Sequence, residues 1–194
     1  MDSDGEDNPA LIQKMLNLSK ENSNTVIVVN RSKRIEHFFF RIIYNVHIYF
    51  LFFATGKIIK FGNYSLLSKH HIMQLLNSHH SWIAYSSTIA QKFKKIFYIY
   101  APKEKRYGGK SNMNILNLFY HCLRIHSVLK NNALFNLSFY NFVIFIFFSK
   151  NLFTFFLILS VTYLCVVNII FYLSKLKQPK DYLKEIKNIE VIKK

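Results

Sequence analysis

Apolar and polar positions along this chain follow first one period, then another, and then the polar positions run out. Residues 1–24 are polar and open on the acidic MDSDGEDN, which reads as a disordered acidic leader. Within it, 9–20 permits a short amphipathic helix through Leu11, Ile12, Met15 and Leu16. Residues 25–29 (TVIVV) are a β-branched run and predict a strand. In 31–45, Ile35, Phe38, Phe39, Ile42 and Ile43 follow helical spacing. Residues 46–53 (VHIYFLFF) fit a second strand, closed by the turn signal Thr55-Gly56. Helical periodicity returns in 58–77, where Ile59, Leu66 and Met73 lie seven apart. Residues 81–89 (SWIAYSSTI) and 96–100 (IFYIY) read as strands, and 113–119 (MNILNLF) as a last strand after a polar loop. The order β-α-β-α-β-(β)-loop-β predicts a two-layer α/β (α+β) domain over 25–126.

Beyond Lys130 the pattern changes. Residues 127–173 form a hydrophobic segment, and 152–173 contain no charge. Those residues would make a helix of ~33 Å, enough to cross a ~30 Å hydrocarbon core. Asn168 is the strongly polar residue within them. The preceding run, 134–148, holds Asn136 and Asn141 and reaches ~22 Å, so alone it is short for a span. Residues 174–194 are a lysine-rich tail with seven lysines and three acids. The acidic opening lacks the basic start and apolar run of a cleaved secretory signal.

Composition sharpens this picture at two points. An apolar fraction of 51%, with 20 Phe and 12 Tyr among 194 residues, excludes disorder for the bulk of the chain. Two cysteines, Cys122 and Cys165, exclude a disulfide scaffold. The formal charge of +16 is partly a matter of base composition, since Lys outnumbers Arg 21 to 5 and both Lys and the abundant Asn, Ile, Phe and Tyr have AT-rich codons. Its distribution is more telling. Residues 8–150 carry 19 Lys+Arg against Glu21, Glu36 and Glu104, whereas residues 1–7 are at −4 and the tail at +4. A body that basic implies a polyanionic partner, either nucleic acid or an anionic membrane face.

Candidate chemistry is sparse. The loop 103–110 (KEKRYGGK) offers Lys103, Lys105, Arg106 and Lys110 to phosphates, with Tyr107 placed to stack on a base or sugar and Gly108-Gly109 allowing close approach. The other reading is a solvated loop in a lysine-rich chain. Gly56 with Lys57 and Lys60 sits at an expected strand-to-helix turn, where helix N-terminal amides would meet a phosphate; otherwise it is a plain turn. It lacks the spacing of a nucleotide-hydrolysing P-loop. Eight histidines include the adjacent pairs His70-His71 and His79-His80, and Cys122 and His126 share a helical face. With no acid beside them, satisfied or surface histidines are the better reading, and no metal or cofactor is expected. Without paired carboxylates or a framed nucleophile, enzymatic activity is not expected.

The order of these motifs resembles the Alba superfamily, most closely the small Alba-type protein subunit of ribonuclease P and MRP. The resemblance rests on Gly56, Lys57, Ile59, Lys60, Asn63, Ser65 and Leu66, then Ser87, Thr88 and Ile89, then Arg106, Lys110, Ser111, Met113 and Ile115. It covers roughly 24–124 and implies an Alba-like β-α-β-α-β-β domain followed by the hydrophobic, transmembrane segment. It also implies a noncatalytic, nuclear or cytoplasmic protein that binds RNA (or DNA) through Lys57, Lys60, Lys103, Lys105, Arg106 and Lys110. Such a protein would take part in tRNA or rRNA processing, as a homodimer or paired with another Alba-type chain. The alternative is an integral membrane protein with one or two transmembrane helices and its basic body against an anionic leaflet. With a single span, the positive-inside rule places the lysine tail and the basic body on opposite sides. A hairpin of 134–148 and 152–173 keeps them together.

Overall fold

The computed structural model describes residues 5–22, 24–31, 38–102, 104, 107 and 114–176. The chain is a mixed α/β protein with one small sheet. Among the described residues its elements are α1 (Leu11–Glu21), β1 (Val26–Arg31), α2 (Phe38–Thr55), β2 (Phe61–Leu66), α3 (Lys69–Leu76), α4 (His79–Ile83), α5 (Tyr85–Lys92), β3 (Ile96–Ala101), α6 (Ile115–Val128), α7 (Lys130–Phe147) and α8 (Lys150–Leu176).

The sheet is built around β1, whose VIVV run can be covered on both faces. The strand order is β2-β1-β3, with β2 antiparallel and β3 parallel to the central strand. Val26, Ile27 and Val28 are fully buried, as expected of a strand sandwiched between two layers. Side chains alternate along it. Val26 and Val28 join Leu51, Ile59, Phe61, Leu75, Ile83, Ile89, Val128 and Leu129 in the larger core. Ile27 and Val29 face the other way, onto Tyr64, Ile99, Ala101 and Met15. Met15 is the buried residue of α1, so part of the stretch expected as a leader is a helix that lids the second face of the sheet.

The strands expected at 25–29 and 96–100 are β1 and β3. Four other assignments are corrected. Residues 46–53 are not a strand but the body of α2, because Ile48, Leu51, Ala54 and Thr55 are the buried positions and their spacing is helical. The helix ends at Gly56, whose φ of +69° suits a left-handed cap and whose N–H donates to the Phe52 carbonyl at 2.7 Å. Residues 58–77 are not one helix. Residues 61–66 pair with β1 as β2, and α3 starts at the Ser68 cap, whose hydroxyl accepts the His71 N–H. Residues 81–89 are helical, as α4 and α5 with extended Ala84 between them; Ser81 Oγ donates to the Leu75 carbonyl and Thr88 Oγ1 to that of Ala84. Residues 115–119 open α6, capped by the Asn114 side chain, which accepts from the Asn117 N–H at 2.7 Å. The described elements from β1 to β3 run β-α-β-α-β, with other residues in them than expected, and 115–119, expected within a last strand, are helical.

Candidate functional site

The helices after β3 are longer and barer than a small sheet needs. α7 has 18 residues and α8 has 27. Residues 151–174 contain no Lys, Arg, Asp or Glu. α8 is long and apolar enough to cross a membrane, with a mean hydropathy of 2.3 over its best stretch, yet 11% of that stretch is buried by the rest of the fold. A core helix of that composition would be covered on most sides. Here the outward positions carry large apolar groups. Phe135 and Phe147 of α7 are each 74% exposed, and Phe139, Phe142 and Phe145, with Phe155, Ile158 and Val161 of α8, are exposed beside them. Phe38, Val46, Tyr49 and Phe52 of α2 extend the same character.

Polar groups of the α7–α8 pair turn toward one another. Asn141 Nδ2 donates to Ser160 Oγ at 3.1 Å and to the Leu137 carbonyl at 2.8 Å, and Ser160 Oγ donates to the Phe156 carbonyl. Asn168 is satisfied at both ends of its amide. Its Nδ2 donates to the Leu164 carbonyl, and its Oδ1 accepts from Lys130 Nζ at 3.0 Å. The same ammonium lies 3.9 Å from the Phe171 ring centroid. Lys130 starts α7 and Asn168 lies near the end of α8, whereas Phe145 and Phe153 stack edge-on near the connecting turn. The two helices are thus an antiparallel hairpin whose open end carries Lys130 and Lys175.

α2 packs alongside the hairpin. Phe53 stacks on Tyr140 at 4.8 Å between centroids and meets Phe156 edge-on. A cleft of about 400 Å³ lies between the three helices, lined by Phe50, Phe53, Leu137, Phe156, Tyr163 and Val166 among others. At one side His126 of α6 is buried against Phe50 and His47, with Nδ1 2.6 Å from Tyr163 Oη. Burial, with the His47 ring adding to it, holds the His126 pKa down at about 3.

Of the residues singled out for phosphate contact, Lys57, Lys60 and Tyr107 lie among the described residues. Lys57 is half-buried and Lys60 exposed. They follow the C-terminus of α2, not a helix N-terminus, so free helical amides do not meet a phosphate there; Lys57 instead complements the negative end of that helix. Lys103, Lys105, Arg106 and Lys110 lie outside the described residues. Tyr107 is exposed, with its ring against Gly5. The loop and the acidic start are tied together elsewhere too. The Glu104 N–H donates to the Glu6 carbonyl, and Asn8 Nδ2 donates to Glu104 Oε1 at 2.7 Å. Among the described residues, no group of three or more His, Cys, Asp or Glu is placed to hold a metal. No family model, curated protein or solved structure matches this chain.

Proposed function

We propose that the chain is an integral membrane protein in which α7 and α8 insert as a helical hairpin with α2 packed against it, and the sheet stays with the hairpin's open end. The observation that carries this reading is α8 itself: a charge-free stretch of 151–174 whose apolar surface the fold leaves uncovered. Those residues reach ~36 Å, more than the ~30 Å of a hydrocarbon core. Asn141 Nδ2 finds Ser160 inside the hairpin and Lys130 finds Asn168 at its exposed open end, so these donors have partners within the chain, as lipid favours. The exposed phenylalanines of α7 need no water-facing rationale once lipid covers them.

The hairpin also removes the topological conflict of a single span. Arg124, Lys130 and Lys175 gather at its open end beside the basic body, so the positive-inside rule puts body, open end and tail on one side. Lys150 and Asn151 mark the turn and reach the opposite interface.

Alkaline carbonate extraction of the tagged full-length protein tests this. The protein is expected to remain in the membrane pellet, and release into the supernatant overturns the proposal. Arginine at Ile158 and Val161 (Ile158→Arg with Val161→Arg) is expected to shift the protein toward the supernatant, since each central arginine costs about 3 kcal/mol of insertion. If the wild type is released and the soluble protein binds RNA in a salt-dependent manner, the nucleic-acid proposal takes its place.

A further inference from the structure

A second cleft, away from the apolar hairpin, is lined mainly by lysine, histidine and amide side chains. It has a volume of about 190 Å³ and is lined by Asn24, His70, His71, Gln74, Lys92, Phe93, Lys94 and Lys95. Three segments distant in sequence converge on it: Asn24 ahead of β1, the first turns of α3, and the end of α5 with its connection to β3. Among the described residues no acidic side chain lines it. Residues 37–103 contain no Asp or Glu at all. The three ammonium groups therefore have no carboxylate partner from their own part of the chain.

The two imidazoles add donors of fixed direction. Gln74 Nε2 lies 2.8 Å from His70 Nε2, and an amide nitrogen can only donate, so the His70 proton sits on Nδ1. Ser68 Oγ accepts the His71 backbone N–H and also lies 3.0 Å from His71 Nδ1, so the cap fixes where the ring sits. His71 is buried, its ring edge-on to Phe93 at 4.8 Å, and burial, with His70 beside it, lowers its pKa. The ring is held by Phe93 on one side and by the Ser68 cap on the other. Three lysines and two histidines line one concavity, and among the described residues no acidic side chain lines it, which makes it a site for an anion rich in acceptor oxygens.

We propose that this cleft binds a phosphate group. The recognised chemistry is a tetrahedral phosphate carrying a small substituent, which either a soluble phosphate or the headgroup of a phospholipid presents. The site does not depend on the hairpin being inserted, because none of its lining residues belongs to α7 or α8.

Isothermal titration of the full chain in neutral detergent tests the proposal with two probes, inorganic phosphate and dioctanoyl phosphatidic acid. Saturable binding is expected. Replacing two exposed lysines of the cleft (Lys94→Gln with Lys95→Gln) is expected to weaken it by about tenfold or more. The charge-matched pair Lys57→Gln with Lys60→Gln is expected to leave it unchanged. Binding of both probes identifies a site for phosphate as such, and binding of the lipid analogue alone identifies the headgroup as the source. Absence of saturable binding by either probe overturns the proposal, as does an equal loss in both lysine pairs, which would reduce the effect to net charge.

Discussion

His126 sits where an imidazole must stay neutral. It is buried between Phe50, His47 and Tyr163, and a proton there would have neither water nor a carboxylate to stabilise it. Its pKa is lowered to about 3, and that of His71 is lowered as well. In the unfolded chain both would titrate near the ordinary histidine value of about 6.5. As pH falls below that value the unfolded chain takes up protons that the folded chain refuses, so folding stability is full above about pH 6.5 and falls as acid is added toward about pH 3. Thermal midpoints of the detergent-solubilised protein are expected to drop across this window. His126→Phe is expected to flatten the dependence, and an unchanged slope would show that other groups set it. Residue by residue, the sequence marked few of the positions that matter. Lys92, Lys94 and Lys95 look like one more solvated run in a lysine-rich chain, and nothing local to them signals that α3 brings two histidines alongside. His126 shares a helical face with Cys122, as its spacing indicates, but its working neighbours come from α2 and α8.

The elements themselves show where pattern and propensity part company. Residues 25–29 and 96–100 were legible as strands because β-branched and aromatic residues favour the extended chain; β1 is covered on both faces, whereas β3 buries Ile99 and leaves Phe97, Tyr98 and Tyr100 exposed. Residues 46–53 have the same composition and take the other structure. An unbroken aromatic run has no period of its own, and its place in α2 is settled by which residues reach the core, namely Ile48, Leu51 and Ala54. Gly56 punctuates it as expected, but from the C-terminal end of a helix. A Cβ there would come no closer than 3.4 Å to Asn136 Nδ2, so the obstacle to another residue is the backbone angle and not space. Gly56→Ala is expected to cost ~1 kcal/mol of stability, and Gly56→Asn less, in thermal or denaturant unfolding followed by circular dichroism. Equal stability of the alanine variant would mean that the end of α2 tolerates a different cap.

At the scale of the molecule, the chain divides into a sheet body with two covered faces and a hairpin whose outer face is bare. This division was visible in the sequence as the loss of charge after Lys150, since bilayer crossing depends on length and composition more than on tertiary detail. The two native thiols report on it. Burial raises the Cys122 thiol to about 11, which leaves it unreactive, and Cys165 lies exposed on the outer face of α8. With α8 in lipid, a membrane-impermeant maleimide is expected to label neither, whereas a cysteine at the hairpin turn (Asn151→Cys) is expected to react from the side opposite the body. Labelling of Cys165 in intact membranes, or of the turn from the side of the body, would contradict the hairpin. The placement of β1 at the centre of the sheet has a consequence in time. Its antiparallel neighbour, β2, ends at Leu66, but its parallel neighbour begins only at Ile96, pairing Val26 with a residue seventy positions away. During folding, one edge of the VIVV segment stays open until all of that intervening chain has been made and packed. For that interval the most buried strand of the finished protein is an unpaired template for other chains, and the yield of folded protein turns on how quickly β3 closes it.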